Sequence, residues 1–363
     1  MSWRCGIIGL PNAGKTTIFN ALTSGQAEVA SYPFSTISPN TGVVPIPDPR
    51  LMRLGELLQP QKLTPATIEF VDVAGLIAGA SRGEGLGNQF LAAIREVDLL
   101  VHVVRCFGDT ICPHPLANLD PVRDVEVVET ELILADLEIL ERQRVKTEKR
   151  AKAGDKGAAA ALGALVRAES GLNQGKWVRD LGLGPGDLEQ LKATPLLTLK
   201  PYLFVANLSE AELDGGPNYQ ALLEWAGHRG APVVPILGDL EAELQEFSPE
   251  DRGDFLAALG LKEAGIIRLI RESSRLLGLV TFYTIVGPEV RAWTVAAGTP
   301  APKAAGQVHS DMEKGFIRAE VMDFDDLAQW GSPVRVKEAG RLHVEGKDYL
   351  VKDGEILLFR FQR

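Results

Sequence analysis

The sequence predicts an α/β protein: a mostly parallel sheet between helix layers, interrupted by an inserted helical arm and followed by a small sheet-rich domain. Three observations predict it. The runs RCGIIGL, ATIEFVDVAGL, DLLVHVVRCF, KPYLFVANL and APVVPIL are apolar on both faces and alternate with helical patterns, as parallel strands buried between helices do. Between about Asp120 and Pro195 the texture turns rich in Ala, Leu, Glu, Lys and Arg. From about Gly278 it changes again, to short alternating runs separated by Gly, Pro and Asp turns.

Taken in order, RCGIIGL reads as the first strand, ending in Gly-rich sequence that opens a helical pattern. The next two runs supply further strands. In the middle texture Leu132, Leu137, Leu140 and Val145 fall near helical spacing with charges between them. Two long helices are expected there, an antiparallel pair turning near Gly154–Gly157. KPYLFVANL and APVVPIL then return the chain to the sheet. LVTFYTIVG, VRAWTVAAG, GFIRAEVM and GKDYLVKDGEILLFRF form the last domain, with one short helix expected. The expected division is 1–119 plus 196–277 for the α/β domain, 120–195 for the insertion, and 278–363 for the sheet-rich domain.

The bulk numbers narrow the function classes. With 363 residues, 45% hydrophobic and 24% charged, the chain is long enough for two to three domains with substantial cores. A formal net charge of −10 argues against a surface coated everywhere in nucleic acid and leaves room for a local basic patch. Cys5, Cys106 and Cys112 are odd in number and lack metal-ligand spacing, so reduced thiols are expected, with no disulfide framework or zinc site. No run is long enough to span a bilayer and the N-terminus lacks signal-peptide shape; a cytoplasmic, monomeric protein is expected.

The chemistry is carried first by GLPNAGKT, Gly9 to Thr16, which fits G-x-x-x-x-G-K-[ST] between a predicted strand and a predicted helix. Gly9 and Gly14 let the backbone wrap phosphate with its amides inward, and the helix adds its positive end. Asn12, Ala13, Gly14, Lys15, Thr16 and Thr17 form the cradle. Lys15 is expected on the β and γ phosphates and the Thr16 hydroxyl on Mg²⁺. Asp72 ends an apolar strand and begins Asp-x-x-Gly, placing a carboxylate for Mg²⁺ and the Gly75 amide for the γ-phosphate. In YPFSTISPNTG, Thr36 stands where a switch hydroxyl completes the Mg²⁺ shell, with Ser35 competing for the role.

At these residues the chain resembles the Obg group of translation-factor-class P-loop GTPases, and within it the YchF-type Obg-like ATPases. The resemblance runs over nearly the whole chain, through GLPNAGKTT, YPFSTISPNTGVVPIPDPR, FVDVAGLIAGASRGEGLGNQFL, HVVRC, NLSE, AWTV, KAAGQVHSDMEKGFIRAEV and EGKDYLVKDGEI. It implies a G domain, an inserted coiled-coil arm and a C-terminal TGS domain of β-grasp type.

The base is a separate question. Guanine specificity rests on an Asn-Lys-x-Asp motif whose Asp accepts from two guanine donors, and this sequence contains none. Asn207-Leu208-Ser209-Glu210 stands in its place: the carboxylate is one methylene longer and the Lys is replaced. Each mispaired buried group costs about 1–3 kcal/mol. Asn207 and carbonyls near Leu208, or the turn Ile236–Asp239 with Gly238, are candidates to meet the adenine N6 amine. In the resembled family Asn-x-x-Glu goes with ATP over GTP, so ATP is expected, with GTP as the competing substrate.

Leu76 occupies the place of the water-orienting Gln of Ras-like enzymes, whose intrinsic turnover is only ~10⁻⁴ s⁻¹ even with that Gln, so a slow hydrolase that needs help is expected. Two helpers are candidates: Asn12, offering its amide oxygen to a K⁺ on the phosphates, and His114, positioning water. Ser81 to Phe90, SRGEGLGNQF, reads as a Gly-rich switch. At the expected arm tip, Arg142, Arg144, Lys146, Lys149, Arg150, Lys152 and Lys156 face only Glu148 and Asp155, which suits contact with a phosphate backbone. With the implied TGS domain this points to the ribosome or ribosomal RNA. The leading expectation is a slow, ribosome-acting ATPase switch. A GTP-specific translation GTPase, a nucleotide-gated RNA-binding module with little catalysis and, weakest, a metabolic kinase are the rivals.

Overall fold

The computed structural model describes residues 2–24, 40–73, 86–108, 112–212 and 215–362. In chain order, β1 (Arg4–Ile8) leads into α1 (Lys15–Ser24), then β2 (Thr41–Pro45), α2 (Pro49–Leu58), β3 (Lys62–Thr64), β4 (Thr67–Asp72), α3 (Leu86–Arg95) and β5 (Leu99–Arg105). The insertion carries α4 (Pro121–Lys152), α5 (Lys156–Asn173) and α6 (Pro185–Leu191). Next come β6 (Tyr202–Leu208), α7 (Pro217–Gly227), β7 (Val233–Leu237), α8 (Gly238–Glu243), α9 (Pro249–Ala258) and α10 (Gly265–Leu276). The chain closes with β8 (Leu279–Val286), β9 (Glu289–Ala296), α11 (Ala301–Val308), α12 (Ser310–Lys314), β10 (Phe316–Asp323), α13 (Phe324–Trp330), α14 (Pro333–Glu338), β11 (His343–Glu345) and β12 (Glu355–Phe361).

Two compact units result: residues 4–42 with 70–269, and residues 1–3, 43–69 and 270–363. In the first, β1, β5, β6 and β7 are mutually parallel within a sheet of order β2-β4-β1-β5-β6-β7, of which Thr41–Gly42 of β2 and Phe70–Asp72 of β4 fall in this unit. Every residue of β5 and β6 is buried, which is why their sequences carry no polar alternation. The strand order reverses around β1, and the carboxyl ends of β1, β4, β5, β6 and β7 share one edge of the sheet. Ligands of open α/β sheets bind at such a switch point.

The arm grows from the same unit. Asp120 caps α4, accepting from the Arg123 backbone N–H at 3.1 Å, with Pro121 at the first helical position. The helix is 32 residues long, about 48 Å at 1.5 Å per residue. Gly154, at φ 92°, turns the chain, and Asp155 caps α5 through the Ala158 N–H at 3.0 Å. Ala164, Leu165, Ala168 and Leu172 of α5 pack with Leu140 of α4, the small residues letting the helices approach. At its base the arm is fastened by Asp136, fully buried, which accepts from the backbone N–H groups of Leu197 and Thr198 at 3.0 and 2.8 Å and from the Thr198 hydroxyl at 2.8 Å.

The second unit holds the sheet β11-β10-β12-β8-β9-β3. Strand alternation splits its core in two: Phe282 joins a cluster with Ala301, Ala304, Ala305 and Phe359, while its neighbour Tyr283 joins Leu51, Leu54, Leu327 and Val336. Two expectations change here. The domain carries four helices after β9, α11 to α14, where one was expected; AAG, DDLAQW and VRVKE are too short for periodicity to show. Residues 43–69, read as part of the α/β domain, group with this unit instead. Their α2 buries Leu51 and Leu54 in its core, β3 pairs in parallel with β9, and Asp48 caps α2 while accepting from the Tyr283 hydroxyl.

Candidate nucleotide site

Between β1 and α1 the chain makes the loop that the motif demands. Gly9 has φ 146°, and a Cβ there would lie 2.4 Å from the Val103 carbonyl oxygen. Gly14 has φ 92°, and a Cβ there would lie 2.1 Å from Asn207 Nδ2. The two glycines therefore serve different neighbours, one the backbone of β5 and the other a side chain of β6. Asn12 takes the left-handed conformation at φ 62°, which Asn tolerates better than most residues.

Lys15 is 8% exposed and its Nζ donates to the Leu10 carbonyl at 2.8 Å, so the ammonium lies folded over the loop. Burial lowers its pKa, and the nearby charge of Asp72 opposes that shift. The Thr16 hydroxyl donates to Asp72 Oδ2 at 3.0 Å. A hydroxyl from α1 and a carboxylate from β4 thus meet beside the loop. Two hard oxygens suit Mg²⁺, which keeps several waters and takes few protein ligands. Among the described residues no group of three or more His, Cys, Asp or Glu side chains gathers to hold a metal by itself.

A cavity of about 330 Å³ opens over the loop, lined by Asn12, Gly14, Lys15, Thr16, Thr17, Arg105, Phe107, Cys112, Asn207 and Asp239. Ala13 lies just beneath, buried, its carbonyl accepting from Asn207 Nδ2 at 3.0 Å. Asn207 Oδ1 in turn accepts from the Gly238 N–H at 3.2 Å. The buried amide ties the phosphate loop to the β7–α8 junction, so both its oxygen and its nitrogen are used within the protein. Asn207 lines the cavity and at the same time holds these two backbone segments together. Leu208 is buried in the core, and Glu210 is exposed in the turn Glu210–Glu212; neither lines the cavity.

The expected helpers lie on one connected stretch. Asn12 Nδ2 donates to the Pro113 carbonyl at 3.2 Å. The next residue, His114, is bonded at both ring nitrogens: Nδ1 accepts from the Leu116 N–H at 3.2 Å, and Nε2 meets Asp124 Oδ2 at 2.6 Å. The ring is therefore held by the arm helix here, and it meets a water only by leaving the Asp124 carboxylate. Thr36, Ser35, Gly75, Leu76 and residues 81–85 of the expected switch lie outside the described residues.

Three lining residues, Arg105, Phe107 and Cys112, went unread in the sequence, and Asp239 was read only as the end of the turn Ile236–Asp239. Arg105, buried at the end of β5, donates to the carbonyls of Phe107 at 3.0 Å and Cys112 at 2.8 Å and reaches the Asn12 carbonyl at 3.5 Å. Its guanidinium also lies 4.9 Å from the centre of the Phe107 ring. Asp239, in the first turn of α8, also lines the cavity. Position at the carboxyl end of an apolar strand was the available signal for Arg105; for Phe107 and Cys112 no local pattern marks them. The cysteines are free, as expected, and burial pushes the Cys106 thiol up to about 12.

Known proteins with the same framework can now be set beside it. Residues 4–144 match the MMR_HSR1 family, described as "50S ribosome-binding GTPase", and residues 279–362 match YchF-GTPase_C, described as "Protein of unknown function (DUF933)". The chain is 49% identical over 361 residues to the ribosome-binding ATPase YchF of Haemophilus ducreyi, covering 99% of each chain. It is 44% identical over 364 residues to that of Bacillus subtilis, covering 99% of this chain and 100% of the relative. Among solved structures, the YchF GTPase of Schizosaccharomyces pombe superposes with a TM-score of 0.89 at 30% identity, covering 99% of this chain and 98% of the other. A GTP-binding protein from Pyrococcus horikoshii, at 20% identity and a TM-score of 0.64, covers 100% of both chains and shares the fold. With identity of this order from end to end, and the phosphate loop, the inserted arm and the C-terminal sheet domain in one chain, the protein belongs to the YchF family.

Proposed function

We propose that this protein is a slow, Mg²⁺-dependent ATPase that acts on ribosomes, working in the cytoplasm. The observation that carries the reading is the meeting of Thr16 and Asp72 at 3.0 Å beside a buried Lys15 in a left-handed Gly14 loop. The loop amides wrap the phosphates, and Lys15 exchanges its Leu10 carbonyl for phosphate oxygens. Thr16 and Asp72 would hold the metal, which when bound supplies positive charge to the phosphate oxygens. Asn207 keeps the loop in register with the base side of the cavity. The adenine preference rests on the missing Asn-Lys-x-Asp and on Glu210 standing outside the cavity; GTP is the second reading, favoured by Asp239, an acidic residue that lines it. Calorimetry with ATP, GTP and their diphosphates tests both. Adenine nucleotides are expected to bind roughly 10–100-fold tighter, the worth of one or two mispaired buried groups. Tighter GDP than ADP overturns the base reading, and binding of neither overturns the nucleotide reading.

The ribosome contact is assigned to the arm and to the C-terminal domain, the latter read as TGS-type. Of the arm's basic side chains, Arg142, Arg144, Arg150 and Lys152 are paired with Glu138, Glu169, Asp155 and Glu148. Lys146, Lys149 and Lys156 make no ion pair among the described residues. These three are the charges free to meet phosphates. Replacing them together by Glu is expected to weaken cosedimentation with ribosomes by at least about tenfold. The log–log salt slope should become shallower by roughly two to three, near one for each phosphate that the variant no longer neutralises. An unchanged slope removes the arm from the interface.

A further inference from the structure

The bonds around His114 form a path from the phosphate loop to the arm. Because Nδ1 accepts from the Leu116 N–H, the proton of the neutral ring sits on Nε2 and is donated to Asp124. The two side chains are 7% and 6% exposed, so water does not compete for that bond. A ring whose carboxylate partner takes one nitrogen and leaves the other free can act on a substrate water. Here both are spent. On the near side, Pro113 and Cys112 are bonded through their carbonyls to Asn12 and Arg105, which line the nucleotide cavity. On the far side, Asp124 lies in the first turn of α4, the long helix of the arm.

We propose that Asp124 is a positioning residue whose carboxylate latches His114 to the first turn of the arm, and that displacement of this turn when the arm engages its partner frees the ring to serve the nucleotide site. The inference rests on the ATPase reading above and names the residue through which an event at the arm reaches turnover. Arg123 Nη2, 3.4 Å from the other Asp124 oxygen, is the second group that holds the carboxylate. Burial raises the Asp124 pKa, and the bonds from His114 and Arg123 oppose that shift and hold the carboxyl group in place.

The test is ATP turnover, with and without purified ribosomes, for the parent, Asp124→Asn, Asp124→Ala and Asp124→Ala/His114→Ala, alongside ATP binding and thermal melting. Loss of a charge-assisted hydrogen bond changes the released population by about tenfold. Ribosome-free kcat is therefore expected to rise about tenfold in Asp124→Ala and less in Asp124→Asn, whose amide oxygen still accepts. KM should hold, and ribosome stimulation should shrink by the same factor. The gain should vanish in the double variant, which a merely structural role for Asp124 would not produce. If Asp124→Ala fails to melt cooperatively, Asp124→Asn decides alone. Turnover at or below the parent's with ATP binding intact, or a gain that survives His114→Ala, overturns the latch. A parent that binds no ATP overturns the ATPase reading first, and the latch with it.

Discussion

Lys15→Met is expected to lower ATP turnover by about 10²–10³-fold, the cost of removing one preorganised positive group from a charge-developing site. The same variant should barely change the melting temperature of the free protein. Burying the ammonium opposes folding, as its lowered pKa shows, and the substitution relieves that cost. It also removes the Leu10 carbonyl's 2.8 Å donor and leaves it the Ala13 N–H at 3.4 Å, a loss at the low end of about 1–3 kcal/mol, so the two changes largely offset. What should disappear is the stabilisation by ligand, about 2.7 kcal/mol at a ligand concentration 100 times Kd. Thermal melting with and without ATP, run beside a turnover assay, reads both. A Lys15→Met protein that hydrolyses ATP at the parental rate would remove the phosphate loop from the chemistry.

The largest expected loss of stability lies away from the nucleotide. Asp136→Ala should destabilise the unit that holds the arm by about 3–5 kcal/mol, because it strands buried donors at once. The Leu197 and Thr198 N–H groups and the Thr198 hydroxyl all end on this fully buried carboxylate. Burial pushes the Asp136 carboxyl up, and its donors oppose that shift without cancelling it, so the expected loss comes from the stranded donors. Asp136→Asn should recover only part, since the amide keeps one acceptor oxygen and turns two hydrogens toward donors. Chemical denaturation gives the magnitudes. A change below about 1 kcal/mol for Asp136→Ala would mean that the segment entering β6 is held by packing alone. The position has a functional edge as well, since Asp136 and Asp124 lie on the same helix, one fastening the arm and the other bonded to His114.

The phosphate loop was legible because its chemistry is local. Gly9, Asn12, Gly14, Lys15 and Thr16 lie within eight residues, and the positive φ angles of the first three are those that the motif requires. Asp72 was legible at one remove, as a carboxylate ending an apolar strand. The free cations of the arm could be narrowed only once Arg142, Arg144, Arg150 and Lys152 were seen beside acidic partners. Asn207 shows the limit differently. Its hydrogen bonds were not legible, because the partners come from Ala13, 194 residues away, and Gly238, 31 residues away.

By itself the sequence determined the layered α/β architecture, the phosphate cradle, the helical insertion and the absence of the guanine motif. Each of these depends on spacing along one short stretch, where periodicity and allowed backbone conformations leave few alternatives. Tertiary structure alone decided that residues 43–69 join the C-terminal unit, that Gly14 must be bare because an amide from β6 approaches it, and that His114 is bound to the arm. Those outcomes depend on which distant surfaces bury each other and which donors find acceptors there, and a linear pattern carries no record of that pairing.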